Sequence, residues 1–175
     1  MARANTDSNN VSAADEALIA LAISALSKIP ASDENHTVAA ACRSAKTGKI
    51  FVGVNVDHFT GGPCAELVVL GTAAANGVLA SEIGTMVAVV RRTGKPITVI
   101  NPCGRCRQVM MDYNPAIDVL VLDESQGPGV KGIVKKAKAQ ELLPFAYVWP
   151  DGNTGQSSTQ TLEGGEGADE DGKDV

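Results

Sequence analysis

The sequence predicts an α/β domain in which helices cover a partly parallel sheet. Strand-like apolar runs alternate with helical segments along the chain, a pattern typical of layered α/β folds. An apolar content of 44% over 175 residues is enough for one domain with its own core. Aromatic residues make up only 3% of the chain, so we expect a core of Ala, Val, Ile and Leu.

The first predicted helix covers Ala13–Ser27. Ser12 and Asp15 have the spacing of a capping box, apolar residues recur at helical spacing after them, and Pro30 closes the run. Residues 1–11 are polar, and we expect them to be disordered.

The remaining elements are separated by Gly, Pro and Asn. A β-hairpin is predicted around Gly48, because strand-like runs lie on both sides of it. In chain order the strand-like runs are 37–43, 50–56, 85–91, 97–100 and 118–122, and the further helices run from Pro63 to near Gly77 and from Cys103 to about Tyr113. The first of these helices is expected to turn four side chains inward, those of Leu67, Val68, Leu70 and Ala74. A Gly/Pro loop is predicted at 124–131, residues 132–143 fit a strand or a helix, and residues 145–149 fit a terminal strand or ordered arm.

The net charge of −5 comes from the C-terminal region. Residues 151–175 carry seven acids and one lysine, a net −6, so the rest of the chain is +1, since −5 minus −6 is +1. Their Gly, Ser, Thr and acidic composition predicts a disordered tail. A near-neutral body disfavours a nucleic acid as partner. No run approaches the roughly 18 apolar residues of a membrane span, and the polar start does not resemble a signal peptide, so we expect a cytoplasmic protein without a membrane partner.

Two short segments predict a metal site: Pro63-Cys64-Ala65-Glu66 and Pro102-Cys103-Gly104-Arg105-Cys106. Each places a proline where a helix is expected to begin, a position that tolerates it. Cys103 and Cys106 are three residues apart and share one side of a first turn, and Cys64 begins the other helix. Helix N-termini favour thiolates. Three thiolates without an evident fourth ligand indicate zinc with one position open for water.

Glu66 is the candidate catalytic residue, because it lies two residues beyond Cys64 and need not ligate the metal. A zinc ion can lower the pKa of its water to about 7, and a nearby carboxylate could take that proton and return it to a ring nitrogen and a leaving amine. This combination of spacings is the signature of zinc nucleobase deaminases.

Each segment alone has a simpler explanation. Pro-Cys-x-Glu is common by chance, and a C-x-x-C can be redox-active or half of a structural zinc site, for which His58 and Cys42 are the candidate fourth ligands. The coincidence of both segments favours the deaminase interpretation. Cys42 is expected to be a buried apolar thiol, His36 to be solvated, and His58 to order the loop before the metal helix.

Longer blocks resemble the cytidine deaminase superfamily, and within it the blasticidin-S deaminases, across roughly residues 15–150. They are 53–56, 58–71, 102–108, 141–144 and 147–149. The resemblance implies a three-layer α/β/α fold around a five-stranded mixed sheet, and a zinc deaminase domain over residues 12–150. It also implies one zinc ion per subunit and a homotetramer whose active sites are completed by neighbouring subunits.

The sequence departs from the superfamily at two positions, Asp57 and Leu67. Asn55 is kept and is expected to position the sugar-like part of the substrate, whereas Asp57 stands where the family has a ribose-binding Glu and blasticidin-S deaminases an aromatic residue. Leu67 replaces an Arg that eases the charge of the zinc–thiolate cluster. Three thiolates and Zn²⁺ sum to −1, so we expect Arg105 to supply the compensating charge.

The aromatic residues near the C-terminus resemble family segments that close the pocket. Tyr147 and Trp149 are therefore candidates for stacking on the base or lining an intersubunit site, with sheet-edge packing as the alternative.

The leading functional prediction is hydrolytic removal of the cytosine 4-amino group of blasticidin S, with release of ammonia and resistance to that antibiotic as the result. A cytidine or deoxycytidine deaminase of pyrimidine salvage is the alternative. A zinc-stapled, non-catalytic oligomerisation module is a further alternative of another class. Editing of polynucleotides is disfavoured by the neutral body of the chain.

Overall fold

The structure, a computed structural model, describes residues 10–123 and 133–148. Its helices and strands, in chain order, are α1 (Ala13–Ser27), β1 (Val38–Ser44), β2 (Ile50–Val54), α2 (Ala65–Ala75), β3 (Ile83–Val90), β4 (Thr98–Val99), α3 (Gly104–Tyr113), β5 (Asp118–Asp123) and β6 (Ile133–Lys138). Short 3₁₀ helices cover Ala80–Glu82 and Ala139–Leu142. The predicted loop at 124–131, the predicted tail at 151–175, Trp149 and most of the predicted disordered N-terminus lie outside the described residues.

The sheet is mixed, and its strands follow the order β2-β1-β3-β5-β6 with the two-residue β4 paired to β3. The β3–β5 pair is parallel and the others are antiparallel. Alternate residues of β1 point to opposite faces: Ala39 and Ala41 pack in the cluster with α1, whereas Ala40 and Cys42 pack in the cluster with α2 and α3. The predicted three-layer α/β/α fold with a five-stranded mixed sheet is confirmed, with β4 as an addition.

Helix α1 begins where the capping box predicts. The Ser12 hydroxyl donates to Asp15 Oδ2 at 2.6 Å, and the Ser12 amide donates to the same oxygen at 2.9 Å. The fully buried Asp15 also forms ion pairs with Arg43 at 2.9 Å and Lys136 at 2.7 Å. Burial alone would raise the pKa of Asp15, but the hydrogen bonds from Lys136, Ser12 and Arg43 outweigh it and hold the pKa well below its usual value.

Strand β6 resolves the ambiguity of residues 132–143, whose described part is a strand followed by a 3₁₀ turn. Its lysines pair with acids on neighbouring elements: Lys135 with Asp123 at 2.8 Å, Lys136 with Asp15 at 2.7 Å and Lys138 with Asp118 at 2.6 Å. These pairs allow a lysine-rich segment to occupy the edge of the sheet. Residues 145–148 form no strand, so of the two forms predicted for 145–149 only the arm remains.

The buried face of α2 differs from the prediction. Ala74 is exposed and Leu67 and Val68 are only half-buried, whereas the buried residues are Ala65, Glu66, Val69, Leu70 and Ala73. The helix is apolar around most of its circumference, so hydrophobic spacing does not reveal which side meets the core. This orientation places the Glu66 carboxyl inside the protein. None of the helices in the described ranges has the length and apolar character needed to cross a bilayer.

Candidate metal centre

The two predicted ligand segments are loop-to-helix junctions on the same side of the sheet. Cys64 and Cys103 are the N-cap residues of α2 and α3, with extended backbone angles of φ −63°, ψ 155° and φ −68°, ψ 169°. Pro63 and Pro102 therefore precede the caps, and the expectation that each proline opens its helix is wrong. The side chains of Cys64 and Cys103 instead lie at the N-termini of the two helices.

The three predicted ligands converge. The sulfur of Cys103 lies 3.7 Å from that of Cys64 and 3.6 Å from that of Cys106, and all three sulfurs lie within 4.8 Å of one another. Tetrahedral zinc with Zn–S bonds of about 2.3 Å places its sulfurs roughly 3.8 Å apart. The cluster therefore fits one zinc ion with three thiolate ligands.

The thiols titrate very differently without a cation. Burial and the neighbouring Glu66 carboxylate raise the pKa of Cys106 far above its usual value, and burial and Cys103 raise that of Cys64. Burial also opposes ionisation of Cys103, but the Cys106 amide and the two neighbouring thiols outweigh it and lower the pKa of Cys103. Ionisation is thus favoured at Cys103 and opposed at Cys64 and Cys106. A cation between the sulfurs removes this opposition, as expected for a metal site.

Glu66 lies beside the sulfurs in the first turn of α2. Its side chain is buried, with 6% of the residue exposed. Burial raises its pKa, and a hydrogen bond with the Cys106 thiol partly offsets that rise. A buried carboxyl group beside the three sulfurs is placed to accept a proton and to donate one.

A cavity of about 200 Å³ opens onto this cluster. Its described lining consists of Val38, Asn55, Val56, Asp57, Gly62, Pro63, Cys64, Ala65, Glu66, Ile100, Asn101 and Cys103. The cavity therefore brings together two of the predicted ligands, Glu66, and the predicted substrate residues Asn55 and Asp57. Within the described part of the chain, neither Tyr147 nor Arg105 belongs to this lining, and Trp149 lies outside the described residues.

Two asparagines fix the walls of the cavity. Asn55 accepts from the Val38 amide at 2.9 Å and donates to the Asn35 carbonyl at 2.9 Å. Asn101 accepts from the Leu122 amide at 2.7 Å and donates to the Leu122 carbonyl at 3.0 Å. Asn101 is not among the predicted site residues, although its position directly before Pro102 indicates a place next to the second ligand segment.

Of the two arginines of α3, Arg107 rather than Arg105 forms contacts near the sulfur cluster. The side chain of Arg105 is exposed and forms no hydrogen bond or ion pair with any described residue, so its charge-balancing role stays a prediction. Arg107, which no sequence pattern singles out, donates to the Pro102 carbonyl at 2.8 Å and to the Leu142 carbonyl at 3.2 Å. Gln108 donates to the Tyr147 carbonyl at 2.9 Å. These contacts tie the C-terminal arm to the helix that carries two of the predicted ligands.

The remaining singled-out residues lie away from the sulfur cluster. Cys42 is buried in the core, and burial raises the pKa of its thiol to about 12, as expected for an inert thiol. The His36 side chain is 39% exposed, in agreement with the expected solvated ring, and its Nδ1 lies 3.1 Å from the Asp33 carboxylate. His58 Nδ1 lies 2.6 Å from the Thr60 hydroxyl and orders the loop before α2, as expected.

The family of this fold and site is established by comparison with known proteins. Residues 12–122 match the family model of the cytidine and deoxycytidylate deaminase zinc-binding region. The chain therefore belongs to the cytidine and deoxycytidylate deaminase family, whose members are zinc-dependent hydrolytic deaminases.

Among its relatives, a blasticidin-S deaminase of Bacillus cereus is 34% identical over 144 residues, which span 79% of this chain and 95% of the relative. A cytidine deaminase of Halalkalibacterium halodurans is 34% identical over 110 residues, 62% of this chain and 75% of the relative. The crystal structure of a cytidine deaminase from Burkholderia pseudomallei superimposes with a TM-score of 0.59 at 33% identity, covering 75% of this chain and 98% of the other.

Proposed function

We propose that the chain deaminates a cytosine nucleoside or nucleoside antibiotic, with zinc on Cys64, Cys103 and Cys106 and with Glu66 as the proton carrier. One observation carries this proposal: a buried carboxyl group lies beside three converging sulfurs at a cavity. Zinc, when bound, supplies Lewis acidity that allows a water molecule to ionise near neutral pH.

The side chain of Glu66 performs the proton transfers. As a carboxylate it takes a proton from the attacking water and delivers it to N3 of the cytosine ring while oxygen adds at C4. It then takes the remaining hydroxyl proton and gives it to the 4-amino group, whose bond to C4 breaks. One water is consumed, one ammonia is released, and the cytosine ring becomes uracil.

The proposed substrate is blasticidin S, which would make the protein an antibiotic-resistance enzyme. The relative from Bacillus cereus supports this choice, because the match spans 95% of its length. The second candidate is cytidine or deoxycytidine, supported by the relative from Halalkalibacterium halodurans and the structure from Burkholderia pseudomallei. Asn55 and Asp57, at the cavity wall, are proposed to contact the sugar side of either substrate.

A direct comparison of substrates tests this proposal. Zinc-loaded protein is mixed with blasticidin S, cytidine or deoxycytidine, and ammonia and the ultraviolet change of the ring are followed. Preferred turnover of blasticidin S is expected. Turnover of cytidine alone would reverse the substrate ranking, and turnover of none would favour the zinc-stapled oligomerisation module.

We further propose a homotetramer in the cytoplasm. Large apolar side chains are exposed in this chain, among them Phe59 at 93% and Phe145 at 104%, and Tyr147 is 60% exposed. Contacts with neighbouring subunits would cover them, and would bring aromatic side chains to the cavity of another subunit. Light scattering on a size-exclusion column tests this, and a monomer at micromolar concentration would contradict it.

A further inference from the structure

The cavity wall carries one carboxylate that takes no part in the proton transfers, that of Asp57. Its backbone amide donates to the Asn35 carbonyl at 3.1 Å, which fixes the residue in place. Its side chain is exposed and forms no hydrogen bond or ion pair with any described residue. Asp57 is therefore a negative group held at the cavity and available to a ligand.

The other polar side chains of the described lining are already engaged. Asn55 and Asn101 each both donate to and accept from the backbone, and Glu66 interacts with Cys106. No Lys, Arg or His is present among the described residues of the lining. The cavity thus holds two carboxyl groups and, in the part of the chain described, no positive side chain to balance them.

The orientation of a bound cytosine base determines which part of the ligand lies near Asp57. The reacting carbon of cytosine must lie at the sulfur cluster, and the sugar is attached at the opposite side of the ring. The sugar substituents therefore extend from the cluster into the same cavity whose lining includes Asn55 and Asp57. A phosphate there would meet a carboxylate that no positive side chain of the described lining balances, whereas an ammonium or guanidinium group would be attracted.

We propose that Asp57 is a specificity-determining residue that favours cytosine nucleosides with a positive charge on the sugar side and disfavours phosphorylated nucleotides. This inference rests on the proposed function and narrows it. The family description covers both cytidine, which has no phosphate, and deoxycytidylate, which has one. The carboxylate of Asp57 at this cavity would favour the former over the latter.

A series of three ligands tests the inference: 5′-amino-5′-deoxycytidine, cytidine and cytidine 5′-monophosphate differ mainly in the charge at one carbon. Their Kd values are measured by calorimetry on zinc-loaded Glu66→Gln protein, so that binding is read without turnover. The ammonium ligand is expected to bind roughly tenfold more tightly than cytidine, and the phosphate at least tenfold more weakly. In the Asp57→Asn background the three Kd values should converge to within about threefold.

The matched control is Glu16→Gln, which removes the same charge from an exposed site on α1 and should leave the order of the three ligands unchanged. Three results would each overturn the inference. The phosphate could bind as tightly as cytidine, the order of the three Kd values could stay the same in Asp57→Asn, or none of the three ligands could bind. Turnover by the Glu66-containing protein is measured separately. If the protein deaminates cytidine but the order of the three Kd values is unchanged in Asp57→Asn, only this inference is contradicted. If the three Kd values follow the expected order but no ligand is deaminated, only the proposed function is contradicted.

Discussion

The sulfur atoms of Cys64 and Cys103 lie 3.7 Å apart, although the two residues cap different helices. Each cap places a thiol at the positive end of a helix, where thiolates and their metal complexes are stabilised. The metal site is therefore built by the relative placement of α2 and α3 on the sheet. Two of its three proposed ligands depend on the same loop-to-helix junction, that of Cys103 and Cys106.

Loss of one thiol should abolish this site without unfolding the chain. Cys103→Ser is the sharpest variant, because Cys103 is exposed and its replacement leaves the core intact. Zinc affinity should fall by more than roughly a hundredfold, since even residues that only support ligands cost up to that much. Metal analysis after dialysis measures it. Cys42→Ala is the control and should retain one zinc per chain; loss of zinc from both variants would contradict the assignment.

Replacement of Glu66 by Gln should separate metal binding from proton transfer. The amide keeps the size of the buried side chain but cannot carry the proton, so kcat should fall by roughly 10²- to 10⁴-fold. Zinc content and the thermal unfolding midpoint should change little. Steady-state assays and metal analysis provide both readouts. A Glu66→Gln protein with unimpaired kcat would show that another group moves the proton.

Asp15 should stabilise the fold in a pH-dependent manner. Its pKa is lowered in the folded state, because hydrogen bonds from Lys136, Ser12 and Arg43 outweigh burial, so its contribution is complete above the unfolded pKa of about 4. The contribution is lost as the pH falls toward the lower folded pKa. At neutral pH, Asp15→Asn should reduce the free energy of unfolding by about 3 kcal/mol, because it breaks buried ion pairs.

Urea unfolding of both proteins between pH 3 and pH 7 measures this effect. Lys46→Ala is the control, because Lys46 is largely exposed and its pair with Glu82 at 3.4 Å should contribute less than about 1 kcal/mol. A difference between wild type and Asp15→Asn that grows as the pH is lowered would have the wrong sign for this account.

Gly62 should be intolerant of any side chain. A Cβ atom there would clash with the Val56 carbonyl oxygen, so the loop that forms one wall of the cavity would have to move. Gly62→Ala should raise KM and lower the unfolding midpoint. In contrast, Gly71→Ala places a Cβ in open space within α2 and should stabilise the protein by about 1 kcal/mol. Equal tolerance of both substitutions, read by calorimetry and KM, would refute the close contact.

Arg105 should support zinc retention if it balances the charge of the thiolates. Arg105→Ala is then expected to weaken zinc binding by roughly tenfold in competition with a chelator. Arg92→Ala, at an exposed site in the turn after β3, is the matched control. Unchanged zinc affinity in Arg105→Ala would show that Arg105 does not balance the charge of the zinc–thiolate cluster.

The sequence predicted most of the fold where local signals are strong. The bounds of α1 are as expected, because a capping box and Pro30 define both ends. It also predicted the three converging thiols, since the spacing of Cys103 and Cys106 fixes their geometry within one turn.

The remainder depends on tertiary contacts that local patterns do not contain. The pairing of Lys136 with Asp15 joins distant parts of the chain, so the lysines of β6 could not be read as part of a strand. Similarly, α2 is apolar around most of its surface, and its packing on β1 and β2 determines that Val69 rather than Val68 is buried. The engagement of Asn55 by Val38 and Asn35 likewise follows from the fold.

The central claim, that zinc at this cysteine cluster enables deamination of a cytosine compound, is tested most directly by a zinc titration. Metal-free protein is loaded with increasing zinc, and the initial rate of ammonia release from blasticidin S and from cytidine is recorded at each step. The account predicts that the rate with at least one of them rises in proportion to bound zinc and reaches a plateau at one ion per chain. Absence of ammonia at full zinc occupancy, or a rate independent of zinc, would contradict it.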